Sequence, residues 1–363
     1  MRLGTRNLVL VPLFATVIIC LSFAQNASAI SVIATITVGT EPFGGAYDSA
    51  KGEIFITNQG SGSVSVISDS TNKVVGIPIT VGSIPFGAAY DHAKGEIFVT
   101  NLGSGSISVI SDSNVNSVVA TITVGTSPFG VAYDSAKGEI FVANRDSNSV
   151  SVISDSTNSV VGLPITGFTG PVGVAYDSAK GEIFVTNGSS VSVISDSTNK
   201  VVKTITVGSG AQGIAYDHAK GEIFVTNGVS GSVSVISDST NKVVKTITVG
   251  TEPLDIAYDS AKKEIFVTNE GSGSVSVINA TTNKVIKTIT VGTNPAGVAY
   301  DQAKGEIFVA NGGSNSVSVI SDSTNKVINT ITGFTGPDGV VYDSAKKEIF
   351  VTNQGSGSIS VIS

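Results

Sequence analysis

Few residues in this sequence have the types and spacing that catalysis requires. The two histidines, His92 and His218, occupy the same turn in two copies of a repeat whose other copies have Ser or Gln there, which indicates tolerated turn residues. A metal-dependent hydrolase would need carboxylates or asparagines that converge on one ion. Asp255 and Asp338 meet this requirement best, and they lie two repeats apart. We therefore favour a protein without catalytic residues, metal ligands or a cofactor.

Two polar positions recur in most repeats. One aspartate lies in an SDST or SDSN turn, and a single carboxylate with no second acid nearby is a weak Ca²⁺ site. We favour hydrogen bonding within the turn for these aspartates, and a structural turn role for an asparagine that ends an apolar segment in every repeat. The aspartates are Asp69, Asp112, Asp155, Asp196, Asp238 and Asp322, and the asparagines are Asn58, Asn101, Asn144, Asn187, Asn227, Asn269, Asn311 and Asn353.

These positions belong to a repeat that fills almost the whole chain. Its clearest copy is AYDSAKKEIFVTNEGSGSVSVINATTNKVIKTITVG at residues 257–292, and every tyrosine of the protein falls at the same place in one copy. Successive tyrosines are 43, 43, 43, 40, 42, 42 and 42 residues apart, a period typical of propellers and solenoids. The tyrosines are Tyr47, Tyr90, Tyr133, Tyr176, Tyr216, Tyr258, Tyr300 and Tyr342.

Each repeat contains four short apolar runs separated by turn residues. In the third copy these are GVAYD at 130–134, EIFVA at 139–143, SVSVI at 149–153 and a fourth run at 160–166. The β-branched composition predicts strands. A phenylalanine in the second run of every copy, at 55, 98, 141, 184, 224, 266, 308 and 350, is expected to pack between neighbouring sheets.

The two ends of the repeat array complement each other. Residues 31–39 match a fourth strand, whereas the sequence stops at 358–363 with a third strand. We therefore predict an all-β fold: an eight-bladed β-propeller of four-stranded antiparallel blades, closed by the N-terminal strand completing the last blade. Residues 30–363 form one domain of eight repeats of about 42 residues.

Residues 1–29 read as a secretory signal peptide. Arg2 and Arg6 precede an apolar run at 8–23, and residues 27–29 are small. The run is shorter than the roughly 20 residues of a membrane span, so we expect cleavage and no membrane span afterwards. Cleavage would remove the single cysteine, Cys20, and change the formal net charge from −7 to about −9. An acidic chain without a basic stripe argues against nucleic acid as a partner.

The combined pattern resembles a known repeat family. P-x-G-x-A-Y-D, E-I-F-V-T-N, S-V-S-V-I and T-I-T-V-G recur together over essentially the whole mature chain. This is similar to the YVTN family of β-propeller repeats, with IFVTN at 97–101 where that family has YVTN or YVAN. The resemblance implies a propeller outside the cell or at its surface, often with a binding or structural role. Related propellers also include lactonases and quinone or haem enzymes, so it implies no single reaction.

Variation between the copies is concentrated in the connections before the inner strand. In a propeller these connections share one face with the loops between the second and third strands. Drift of tolerant loop tips would explain the variation, and a recognition surface is the alternative. The residues of that surface would be Phe43, Phe86, Phe129, Gln212, Leu254, Asp255, Ala296 and Asp338.

Other candidates for this face come from two kinds of loop. Phe168 and Phe334 lie in matching GFTGP inserts four repeats apart, which predicts a two-sided aromatic rim, although packing against the adjacent blade is an equal alternative. Arg145, with Asp146, and Glu270 are the charges among the Gly, Ser and Asn rich loops after the second strand.

We therefore expect a secreted or cell-surface module that binds a protein or glycan without catalysis. The alternatives are a hydrolase of the lactonase type, with a metal at the channel mouth, and a spacer in a surface lattice.

Overall fold

The computed structural model describes residues 30–113 and 115–363. The predicted signal peptide, residues 1–29, lies outside the described residues. The described chain forms eight antiparallel sheets arranged in a ring, the eight-bladed β-propeller that the sequence predicts. Apart from short 3₁₀ turns at Glu270–Ser272 and Gln354–Ser356, its regular structure is β-strand.

The two strands nearest the axis have the same bounds in every blade relative to the repeat. The inner strand ends at an aspartate, and a four-residue turn leads to the second strand, which ends at the recurrent asparagine. The inner strands are Pro42–Asp48, Pro85–Asp91, Pro128–Asp134, Pro171–Asp177, Ala211–Asp217, Pro253–Asp259, Pro295–Asp301 and Pro337–Asp343. The second strands are Glu53–Asn58, Glu96–Asn101, Glu139–Asn144, Glu182–Asn187, Glu222–Asn227, Glu264–Asn269, Glu306–Asn311 and Glu348–Asn353.

The third and outer strands complete each blade. The third strands are Ser63–Ser68, Ser106–Ser111, Ser149–Ser154, Ser190–Ser195, Ser232–Ser237, Ser274–Asn279, Ser316–Ser321 and Ser358–Ile362. The continuous outer strands are Ser117–Thr123, Lys200–Thr206, Lys242–Thr248, Lys284–Thr290, Lys326–Thr332 and, for blade 8, Val32–Thr37.

The prediction of a continuous outer strand is wrong for blades 1 and 3. There the strand is split into Lys73–Val74 with Ile79–Thr80, and into Ser159–Val160 with Ile165–Thr166. Each gap contains a glycine with positive φ and a proline, as at Gly162 and Pro164. Proline has no N–H for the ladder and glycine permits the turn, so the chain bulges outward here.

Ring closure follows the predicted arrangement. Val32–Thr37 pairs antiparallel with Ser358–Ile362, which leads inward to the second and inner strands of blade 8. Beyond the strand ends, Val38 N donates to Gly357 O at 3.0 Å. The first and last described strands therefore belong to one sheet.

The hydrophobic core lies between neighbouring blades. Phe98 of blade 2 packs with Ile107 of its own blade and with Ile140 and Val142 of blade 3, and equivalent clusters recur between other blades. All eight repeated phenylalanines are at most 1 % exposed. This confirms that they pack blade against blade.

Polar side chains also join the blades. The Thr57 hydroxyl accepts from Gly44 N at 3.0 Å and donates to Phe86 O of the next blade at 2.9 Å. Asn101 Nδ2 donates to Ser106 and Ser108, while its Oδ1 accepts from Gly82 N. The recurrent asparagines are thus buried hydrogen-bonding residues of the blade, in line with the structural role predicted for them.

Candidate functional site: the channel mouth

The eight inner strands each bring one residue to one end of the central channel. We call this end, where the connections before the inner strands lie, the upper end, and the opposite end, with the turns after the inner strands, the lower end. The residue at the upper end is the second of each strand, and in seven of the eight blades the glycine after it lets neighbouring inner strands approach closely. A Cβ on Gly44, for example, would lie 2.5 Å from Phe86 O. The channel mouth is here this ring together with Asp255 of blade 6. The ring consists of Phe43, Phe86, Phe129, Val172, Gln212, Leu254, Ala296 and Asp338.

Blades 1 to 3 contribute an aromatic arc, Phe43, Phe86 and Phe129. The ring centroids of Phe43 and Phe86 are 4.3 Å apart, and those of Phe86 and Phe129 are 4.0 Å apart, with tilted planes. All three are half-buried, so each presents part of its ring to the channel. The arc is a preformed apolar wall on one side of the mouth.

Asp255 of blade 6 stands where the other seven blades have glycine. Its Oδ1 accepts from Ile256 N at 2.8 Å, and its Oδ2 accepts from Val298 N of blade 7 at 3.0 Å. The residue lines the channel and is partly exposed to it. Desolvation raises the pKa of this carboxyl, against the opposing effect of the two backbone N–H groups.

Asp338 of blade 8 is the second carboxyl of the mouth. Gln354 Nε2 donates to its Oδ2 at 3.2 Å. Burial raises the pKa of Asp338 to about 6, and the negative charges of Glu270 and Asp255 add to this effect. Its protonation therefore changes close to neutral pH.

The mouth encloses a cavity of about 480 Å³. Asp255 and Asp338 are its charged lining residues, and Gln212 adds an amide; among the described residues that line it, none is Lys or Arg. A neighbouring depression of about 610 Å³ shares Gln212 and Leu254 and extends to Glu252 and Glu270. Such a cavity has the size and mixed polarity of a small-molecule or side-chain site.

The sequence grouped most of the mouth correctly. The structure brings together Phe43, Phe86, Phe129, Gln212, Leu254, Asp255, Ala296 and Asp338. Val172 was missed because a lone valine at that position looks like core. Comparing the second residue of all inner strands would have found it.

Phe168 and Phe334 do not form the predicted rim. They are 6 % and 5 % exposed, and Phe168 packs against Phe141 and Val150 of blade 3. Each insert folds back on the blade, with Gly170 N donating to Asn148 and Gly336 N donating to Asn315. The adjacent-blade alternative is therefore the one observed.

The predicted loop charges lie outside the mouth. Arg145 is not among the lining residues, and its Nε is 3.9 Å from Asp146 Oδ1, with both side chains more than half exposed. His92 and His218 contact tyrosines of the lower hairpins, Tyr133 and Tyr216.

The lower face holds an arrangement that sequence reasoning missed. Asp91, at the end of an inner strand, is fully buried; its Oδ1 accepts from Ala93 N, and its Oδ2 has no hydrogen-bond partner among the described residues. Tyr133 of the next blade donates to Asp155 Oδ2 at 3.4 Å. Desolvation raises the pKa of Asp155, and the charge of Asp91 raises it further.

Asp91 of the preceding blade therefore lies near the turn aspartate Asp155. The sequence interpretation that the turn aspartate has no second acid nearby is wrong for this residue. One repeat read alone does not reveal this pairing. Across residues 30–113 and 115–363, no cluster of three or more His, Cys, Asp or Glu side chains has a geometry suited to a metal ion.

In the described ranges no helix is both long and hydrophobic enough to cross a membrane.

Comparison with solved structures supports the fold. The chain matches dihydro-heme d1 dehydrogenase NirN, in complex with DHE, with a TM-score of 0.74 and 13% identity over 87% of this chain and 71% of that one. It matches the computationally designed Ika8 protein with a TM-score of 0.73 and 10% identity, covering 90% and 98% of the two chains. For hydrazine synthase from Kuenenia stuttgartiensis the values are 0.64 and 17%, covering 93% and 97%.

At these identities the likeness extends to the propeller fold alone. No protein-family model and no curated protein sequence matches this chain.

Proposed function

We propose that this chain is a secreted or cell-surface propeller of the YVTN type that binds a protein or glycan at its channel mouth without catalysis. The observation that supports the proposal is that the repeats differ from one another at the channel mouth. The second strands have the same phenylalanine in all eight blades, whereas the mouth has Phe, Phe, Phe, Val, Gln, Leu, Ala and Asp in ring order. Sequence drift alone does not account for a contiguous aromatic arc in blades 1 to 3 that lines the same cavity as carboxyls in blades 6 and 8.

The binding test compares two triple variants. Replacing Phe43, Phe86 and Phe129 by Ala removes the aromatic arc; replacing Val119, Val202 and Val244, which are about half exposed on outer strands, by Ala is the matched control. Binding to whole cells, isolated wall glycans and surface proteins is measured by pull-down and titration. We expect at least a tenfold loss for the first variant and none for the control.

Folding is checked separately, because the arc is half-buried. Thermal unfolding monitored by circular dichroism identifies a variant that fails to fold, and the single change Phe86→Leu then replaces the triple variant. Unchanged binding by a folded arc variant contradicts the proposal.

Secretion has its own measurement. Mass spectrometry of the protein recovered from the producing cells and their medium gives its N-terminus. We expect a chain that starts near residue 30 in the extracellular fraction, while an intact residue 1 on a protein retained in the cytoplasm contradicts the proposal.

A hydrolase of the lactonase type is the second candidate. The observation that favours it is the pair of mouth carboxyls with raised pKa values, because such groups recur at catalytic sites. Lactone hydrolysis assayed with and without added Ca²⁺ or Zn²⁺ tests it. Turnover that disappears in both Asp255→Asn and Asp338→Asn would replace the binding proposal with an enzymatic one.

A further inference from the structure

The charge at the channel mouth is confined to one side. Ring order places blades 6 to 8, with Asp255 and Asp338, across the channel from blades 2 to 4. Phe86 of blade 2 therefore faces blade 6, and Phe129 of blade 3 faces blade 7, whose mouth residue is the small Ala296. The cavity therefore has an apolar wall and an acidic wall, and the two walls meet where the inner strand of blade 8, with Asp338, adjoins that of blade 1, with Phe43.

The acidic wall lacks a counter-charge. Asp255 is held by backbone N–H groups and Asp338 by an amide N–H, and the lining contains no basic side chain among the residues described. A carboxylate removed from water is costly, and the cost is relieved either by uptake of a proton or by an approaching cation. A ligand with positive charge would therefore lower the free energy of this site more than a neutral ligand of the same shape.

We propose that the channel mouth binds a protonated amine carried on an apolar group, with the ammonium at Asp255 and Asp338 and the apolar part against the aromatic arc. This inference rests on the proposed binding function and names the chemistry of its ligand. A lysine side chain of a protein partner carries its ammonium on an apolar chain, and an amino sugar of a glycan carries its ammonium on a ring with an apolar C–H face.

Other ligand classes fit less well. An anion would meet two carboxylates, with Glu270 of the neighbouring depression adding to the repulsion. A neutral sugar would contact the aromatic rings but leave the charge uncompensated. A metal ion would use the carboxyls, but nothing in its chemistry would require the aromatic arc.

Binding should depend on pH through Asp338. The charged groups facing Asp338 are Asp255 on blade 6 and Glu270 in the loop of the same blade, and Gln354 is its polar neighbour in blade 8. Protonation of Asp338, whose pKa is raised to about 6, removes one of the charges that attract the amine. We expect affinity to be full at pH 7.5 and to fall by several-fold on going to pH 5.

The test is a calorimetric titration of the full chain with 2-phenylethylamine and with its neutral counterpart 2-phenylethanol. The expected result is at least tenfold weaker binding of the alcohol. Asp338→Asn should weaken amine binding at pH 7.5 by about fivefold or more and reduce its change between pH 5 and 7.5, because the amide has no charge to titrate. The amide keeps an oxygen that can accept from Gln354, so the local structure is retained. Asp146→Asn, which alters an exposed loop carboxylate outside the mouth, should leave amine binding unchanged.

Several results would overturn this inference. They are no binding of the amine, equal binding of amine and alcohol, or equal effects of Asp338→Asn and Asp146→Asn. If the amine binds as expected, competition distinguishes the two sources of the ammonium group. Displacement of 2-phenylethylamine by a lysine-containing peptide indicates a protein partner, and displacement by a glucosamine oligomer indicates a glycan. Displacement by neither contradicts the proposal.

The outcome is separable from that of the proposed function. If the aromatic-arc variant loses binding to cell surfaces but the amine has no advantage, the ligand chemistry is wrong and the site is right. If neither probe binds and the arc variant retains binding to cells, both are wrong.

Discussion

Ile36, in the first described strand, is paired in register with Ile359 in the last. Ile36 is 6 % exposed and packs in one cluster with Ile54 and Ile56 of blade 1 and Phe350 of blade 8. The pair therefore joins the first and last described strands within one sheet, and its cluster packs that sheet against blade 1. With this strand in place, blade 8 has four strands like the other blades, and Ser358–Ile362 is not left as a sheet edge.

Truncating this contact should destabilise the whole ring. We expect Ile36→Ala to lower the free energy of unfolding by about 2–4 kcal/mol, because it removes buried methyl groups and leaves a cavity. Ile33→Ala, on the same strand but 51 % exposed, is the matched control and should change it by less than about 0.5 kcal/mol. Denaturant unfolding of both variants is the measurement, and equal losses would mean that the strand does not seal the ring.

The threonine bridge between inner strands should have a smaller effect. Thr226 Oγ1 accepts from Gly213 N at 2.8 Å and donates to Leu254 O of the next blade at 2.9 Å. Thr226→Ala removes both bonds, and we expect a loss of about 1–2 kcal/mol. Blades 3 and 7 have Ala143 and Ala310 at this position, so the variant should still fold; thermal unfolding gives the change, and an unchanged midpoint would contradict the bridging role.

The carboxyl pairs of the lower face predict a pH dependence of stability. The pKa of Asp155 is raised in the folded state, so its contribution to stability is present at low pH and is lost as pH rises through the folded-state value. Asp155→Asn removes this charge while keeping an oxygen for Tyr133. We expect the variant to be more stable than the parent at pH 7, by up to about 1 kcal/mol, and the difference to vanish near pH 3.

Thermal unfolding of both proteins from pH 3 to pH 8 measures this difference. Asp146→Asn, in an exposed loop of the upper face, serves as the control for a general loss of negative charge. A difference that grows as pH falls would contradict the assignment, because it would mean that the Asp155 carboxylate is stabilised in the folded state.

Much of the fold could be predicted from the sequence because each local structural signal occurs in eight copies of the repeat. The closed ring can be predicted from the alternating β-branched runs, the glycine turns and the division of one repeat between residues 31–39 and 358–363. The split outer strands were missed because the run at 160–166 looks continuous in composition, although Pro164 interrupts it. The buried position of Phe168 depends on how a loop folds back onto its blade, which its own sequence does not specify.

The site was predictable in part for a related reason. Residues such as Phe43 and Asp338 stood out because they break the repeat, and ring geometry then brings them together. The pairing of Asp91 with Asp155 was not predictable from one copy, since its two members occupy different positions of the repeat and meet only across a blade boundary.

The binding account is tested most directly by placing a reporter at the mouth. The sequence contains no tryptophan, so Phe86→Trp gives the protein a single indole within the aromatic arc, and Leu163→Trp, at a position 88 % exposed on the outer edge of blade 3, gives the control. Emission of both variants is followed during titration with 2-phenylethylamine at pH 7.5. The account predicts a saturable change for Phe86→Trp alone; a change of equal size in both variants, or in neither, would contradict binding at the channel mouth.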